Sequence, residues 1–93
     1  MEILSHTRKK RSKQELYASL LVGVAAEHRG IPITRLMYHS LLSHRHLTRH
    51  LQVLLKERLL EYDEQEKVYR ITTRGLQFIQ VYTKMAEMLE PTV

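Results

Sequence analysis

Residues 43–56 read SHRHLTRHLQVLLK, and the order of these residues decides the fold. On a helix, Leu47, Leu51, Leu54 and Leu55 fall on one side, while Arg45, Arg49, Gln52 and Lys56 recur at spacings of four, three and four on the other. The leucines must turn inward to leave water, so the cationic side projects outward. Ser43 offers the side-chain oxygen that a helix start needs. A cylinder that is half core and half basic polar surface is what a DNA major groove accepts, and the stretch predicts a reader helix over residues 44–57.

Upstream, Ser12 followed by Glu15 matches a capping box, and Leu16, Leu20, Leu21 and Val24 repeat at helical spacing, so a first helix is expected from Lys13. Gly30 is read as its end signal. Pro32 suits the start of a short second helix through Tyr38 or His39, with Ile33, Leu36 and Met37 facing inward. Leu41 or Leu42 fills the turn before Ser43. Two short helices joined by a tight turn, the second amphipathic and basic outside, make a helix-turn-helix. The turn itself contains no glycine.

Downstream, Leu59 to Tyr62 and Val68 to Thr72 are β-prone runs flanking the polar stretch Asp63–Lys67, a pattern that predicts a hairpin, or wing. Thr72 caps a last helix from Thr73 to about Leu89, limited by Pro91. That helix carries more apolar surface than one small domain needs. Phe78, Tyr82, Met85 and Leu89 follow a 4-3-4 spacing, with Leu76, Ile79, Val81 and Met88 on neighbouring faces. One stripe can cover the body while another meets a second chain, although a single wide face on a monomer is the plainer alternative. The expected fold class is mainly α with a small β-hairpin. Its parts are a basic arm over 1–11, a winged helix-turn-helix over 12–72, and a dimerising helix with tail over 73–93.

Composition sets limits on function. The chain has 93 residues, net charge +5 and no cysteine, which excludes a disulfide framework, thiolate metal ligands and a thiol nucleophile. The first 60 residues hold eleven of the 15 Lys and Arg but four of the 10 Asp and Glu, together with all six His. The basic character therefore belongs to the arm and the first helices, where a polyanion would be met. No apolar run reaches the roughly 20 residues of a membrane-spanning helix, and the start MEILSHTRKKRSK shows no signal-like apolar core. The expected location is the cytoplasm, on the chromosome.

The segments Thr34-Arg35-Leu36-Met37-Tyr38, Leu41 to Leu60, and Tyr69-Arg70-Ile71-Thr72 with Gly75 resemble an archaeal winged-helix regulator family. In that family a winged domain is followed by a dimerising C-terminal helix. The likeness runs from Ile33 to Met85. It implies a dimer, often paired through an antiparallel coiled coil, that binds double-stranded DNA as a transcriptional regulator or a chromosome-organising protein. Wings that grip phosphate carry Lys or Arg at the tip, whereas Asp63, Glu64 and Glu66 here outnumber Lys67 and would repel it. Either the wing stands away from DNA or Lys67 and Arg70 on its flanks make the contact.

Arg45, Arg49 and Gln52 are the expected base-edge contacts, since Arg pairs bidentately with guanine and Gln with adenine. Ser43, His46 and Thr48 lie near the helix start within reach of phosphate or base, with a plain cap as the simpler role for Ser43. Arg35 and Lys56 are expected on the backbone, and Arg8, Lys9, Lys10 and Arg11 in a minor groove or along phosphates. Six released counterions would give a log–log salt slope near about −5. His46 and His50 share a face at metal-ligand spacing, but no carboxylate or thiol between His39 and Lys56 completes a site, so no metal or other cofactor is expected. With no phosphate-cradling glycine loop, carboxylate pair or nucleophile motif, an enzyme is not expected either.

The leading expectation is a homodimeric regulator of transcription. A non-specific DNA-packaging protein would share its phosphate contacts without reading sequence. A protein-docking winged helix would use the acidic wing and the surplus apolar face. Binding of single-stranded RNA is disfavoured, because the five Tyr and one Phe form no stacking platform.

Overall fold

The computed structural model describes residues 12–90, which form four helices and one hairpin. In chain order these are α1 (Lys13–Ala25), α2 (Ile33–Ser40), α3 (His44–Lys56), β1 (Leu60–Asp63), β2 (Val68–Ile71) and α4 (Thr73–Leu89). The fold is mainly helical with an antiparallel two-stranded sheet, as a winged helix-turn-helix requires. The arm Met1–Arg11 and the expected stop at Pro91 lie outside the described residues.

Three of the four helix starts carry a side-chain cap, and α2 begins after Pro32 without one. Ser12 Oγ accepts from Glu15 N at 3.0 Å while Glu15 reaches back to Ser12 N, the reciprocal capping box. Ser43 Oγ accepts from His46 N, and Thr72 Oγ1 accepts from Gly75 N at 2.9 Å. Helix ends are less regular. α1 stops at Ala25 with Ala26 as its cap, five residues before Gly30. Gly30 therefore does not terminate α1. It has φ +96°, and a Cβ there would press within 2.5 Å of Val68 and 3.1 Å of the Tyr69 carbonyl. Its role is to let Ile31 pair with Tyr69 through two backbone bonds of 3.0 and 2.9 Å. The segment between α1 and α2 is thus stitched to the hairpin.

Two helix ends, besides Lys67 in the hairpin turn, place non-glycine residues in the left-handed region. Leu41 at φ 61° ends α2, and Arg58 at φ 62° ends α3. The second is a Schellman arrangement: Arg58 N donates to Leu55 O and Leu59 N to Leu54 O, with Leu54 and Leu59 both buried. A left-handed non-glycine residue costs roughly 1 kcal/mol, so both turns are held by their surroundings.

The core gathers Leu20, Leu21 and Val24 of α1, Ile31, Leu36 of α2, Leu47, Leu51 and Leu54 of α3, and Leu59 and Leu60. α4 closes it from the other end. Phe78 and Ile79 pack against this cluster, and the start of α4 meets the chain so tightly at Gly75 that a Cβ there would collide with the Leu59 carbonyl and Ile71. Thr72 also donates from Oγ1 to the Arg58 and Leu59 carbonyls at 2.7 and 3.0 Å, and Arg74 Nε donates to the Glu57 carbonyl at 2.9 Å. These bonds fasten the start of α4 onto the turn that follows α3 and satisfy its carbonyls.

Candidate nucleic-acid interface

On α3, Leu47, Leu51 and Leu54 are fully covered, and Leu55 is half-buried, as a helix anchored by one aliphatic face must be. His44, Arg45, His46, Arg49, Gln52 and Lys56 are exposed on the opposite side. Among the described residues the ion pairs are Glu27 with Arg35 and Asp63 with Arg70, so Arg45, Arg49 and Lys56 reach solvent unpaired. Between Glu27 and Glu57 the chain contains no carboxylate at all. The outer face of α3 is thus a cationic strip with no internal counter-charge on its own element or on α2.

The other expected contact residues divide. Ser43 is an N-cap, and its Oγ also lies 3.1 Å from His46 Nδ1, so the first turn of α3 is organised around this hydroxyl. Thr48 does not present its oxygen outward: Oγ1 is enclosed and has no hydrogen-bond partner. Helical spacing alone places this hydroxyl within reach of phosphate or base. Arg35 is held by Glu27 at 3.0 Å, although its guanidinium is still half-exposed. Arg8, Lys9, Lys10 and Arg11 lie outside the described residues.

The two histidines with metal-like spacing are engaged separately. His46 turns to Ser43, whereas His50 Nδ1 lies 3.2 Å from the Tyr17 hydroxyl of α1, the rings edge to face with centroids 5.4 Å apart. Burial against Tyr17 holds the His50 pKa below the ordinary imidazole value, and the nearby positive charges of Lys13 and Arg49, with His46, push it the same way. Lys13 therefore stands beside the reader helix, and the first turn of α1 shares its basic field. The Tyr17–His50 contact spans 33 positions of sequence and leaves no periodic trace.

The hairpin handles its charge differently. Asp63 Oδ1 accepts from Gln65 N at 2.9 Å and Glu66 N at 3.0 Å, folding the tip as an Asx turn, while Oδ2 accepts from Arg70 Nη1 at 2.6 Å. The Arg70 hydrogen bond, followed by the turn amides, holds the Asp63 carboxyl below its ordinary pKa. Asp63 is therefore a structural acid of the turn, and Arg70 is committed to it. Lys67, at φ 59° beside the tip, remains exposed. Tyr62 and Tyr69 pack across the strands with centroids 4.7 Å apart, and burial followed by Tyr62 raises the Tyr69 pKa.

On α4 the four residues expected to dimerise point in two directions. Phe78 packs on the core and Tyr82 is half-buried, lining a groove with Ala18 and Val22 of α1. Met85 and Leu89 are exposed, and Val81 and Met88, assigned above to neighbouring faces, are exposed with them. The unpartnered apolar stripe is thus Val81, Met85 and Met88, with Leu89 beside it. No described helix is long and apolar enough to cross a membrane.

A family model described as winged helix-turn-helix matches residues 10–90. No curated protein matches the chain.

Proposed function

The chain belongs to the winged helix-turn-helix family, and we propose that it binds double-stranded DNA through α3 as a homodimeric regulator of transcription, in the manner of the archaeal regulators it resembles. The observation that carries this reading is the outer face of α3. Arg45, Arg49, Gln52 and Lys56 are all exposed, the three cations are free of carboxylates among the described residues, and three buried leucines behind them fix the helix. Fixing matters because a base edge is read only by donors whose positions are set before contact.

In this reading Arg45, Arg49 and Gln52 address base edges in the major groove, while His46, Ser43 and Lys56 lie along the strand borders. Thr48 shapes the helix rather than touching DNA. Arg35, once drawn away from Glu27, and Lys13 add phosphate contacts, and the segment 8–11 continues the basic field beyond Lys13. The wing, with its one cation in the sheet bound to Asp63, contributes Lys67 at most. The winged domain over 12–72 is the binding unit and 73–93 the pairing unit, with Met85, Leu89, Val81 and Met88 of two chains covering one another. No cofactor takes part, and the site of action is the chromosome in the cytoplasm.

A selection from random duplexes, read by sequencing, tests this directly. Enrichment of a two-fold-related motif supports a dimeric regulator. Retention of duplex without enrichment supports a packaging protein, because phosphate contacts carry no sequence information. Failure to retain duplex near physiological salt removes DNA from the function, leaving the exposed α4 stripe as a protein-docking surface.

A further inference from the structure

One exposed apolar patch is not used by the reading above. Tyr38 at the end of α2 is 83% exposed and Leu41 in the turn is 89% exposed. With Thr34 they rim a shallow basin of about 380 Å³ floored by Met37 and Leu42. Leu41 carries two burdens at once: its side chain stands in water and its backbone is in the left-handed region at φ 61°. Glycine or asparagine would relieve both. The backbone is held as the cap of α2, with Leu41 N donating to the Met37 carbonyl at 2.9 Å, but nothing within the chain covers the side chain, which marks it for contact with something outside.

Two features identify the occupant. Leu41 lies two positions before Ser43, the cap of α3, so the basin continues the end of the reader helix that approaches base edges. Its sequence neighbourhood, from His28 to Lys56, holds four Arg, one Lys and five His and no carboxylate, which suits a polyanion. The apolar group that a duplex displays in its major groove is the 5-methyl of thymine. We propose that Leu41 and Tyr38 extend the duplex interface: Leu41 packs on a thymine methyl, and the Tyr38 hydroxyl donates to a phosphate beside it. The proposal rests on the DNA reading above.

The test compares duplexes of one mixed AT-containing sequence carrying thymine or deoxyuridine, which differ only by the methyl. The wild-type chain is expected to bind the deoxyuridine duplex about fourfold more weakly per contacted thymine, the effect of one buried methyl group. Leu41→Asn, whose side chain tolerates the left-handed backbone and so keeps the fold, is expected to bind both duplexes equally and to show an unchanged or higher Tm. Tyr38→Phe is expected to keep the methyl preference while binding both duplexes more weakly. Equal binding of both duplexes by the wild type overturns the proposal while leaving the DNA reading intact. So does an equal loss in wild type and Leu41→Asn, which would put methyl readout elsewhere. If the wild type binds neither duplex, both the proposal and the DNA reading fall.

Discussion

The reader helix and the hairpin both carry arginines, and they treat them in opposite ways. Arg45 and Arg49 on α3 reach solvent with no carboxylate near them in sequence, whereas Arg70 on β2 donates to Asp63 at 2.6 Å and closes the hairpin. One element leaves its cations for a ligand, and the other uses its cation to build itself. The Arg70 guanidinium is spent on the tip of its own hairpin. There Asp63 holds the tip through two turn amides, and Leu60 at the start of β1 is buried in one cluster with Leu51 and Leu54 of α3. Changes to the outer face of α3 should therefore appear in affinity, and changes to the hairpin should reach affinity only where they free its cation.

The largest stability effect is expected at Gly75, where a Cβ would meet the Leu59 carbonyl with no flexible neighbour to yield. Gly75→Ala should cost about 2 kcal/mol despite the better helix propensity of alanine, measured by denaturant unfolding. A variant as stable as the wild type would show that α4 is not clamped there.

Asp63→Asn sharpens the contrast from the other direction. The amide oxygen can still accept from Gln65 N and Glu66 N, but the ion pair is gone and Arg70 is released. Duplex affinity should rise by roughly twofold to fivefold, and the salt dependence should steepen, because one more cation becomes available to phosphate. The Tm should fall slightly. Unchanged affinity would mean that the wing lies away from the duplex.

Acidification should lower stability in two stages. The depressed His50 pKa means that its neutral form contributes stability above the ordinary imidazole range, and this is lost as pH falls through the lowered value. Asp63, also depressed, adds a second loss of the same sign at more acidic pH. Thermal melts from neutral to acidic pH should show both, and His50→Gln should remove the first stage alone. The smallest effect is expected from Thr48→Val. Since Oγ1 is buried and unpartnered, affinity should not change and the Tm should stay level or rise. A clear loss of duplex binding would mean that the hydroxyl turns outward on contact.

Much of this architecture is legible in the residue order. Ser12 with Glu15, Ser43 and Thr72 announce three helix starts, and the leucine spacing of α3 fixes which side is buried. What spacing cannot supply is aim and partnership. Thr48 and Arg49 are consecutive on one helix, yet one hides its hydroxyl and the other is exposed. Arg35–Glu27, Arg70–Asp63 and Tyr17–His50 are each set by how separate elements meet. The same limit explains α4: a 4-3-4 spacing groups Phe78 with Met85, but the docking of α4 on the core draws Phe78 inward and leaves Val81 and Met88 outside. Gly30 and Leu41 show it for turns, where the residue chosen answers to the bridge with Tyr69 in one case, while in the other the backbone caps α2 and the side chain packs on nothing inside the chain.

The central claim is that the exposed cations of α3 meet the duplex. Titrating a fluorescent duplex with the wild type and with the Arg45→Ala/Arg49→Ala double variant, at matched salt and with both chains shown to be folded, measures it most directly. The account predicts a wild-type salt slope near about −5 and at least a thirtyfold loss of affinity in the double variant, roughly the sum of two modest base contacts. Equal binding by the two proteins would contradict it.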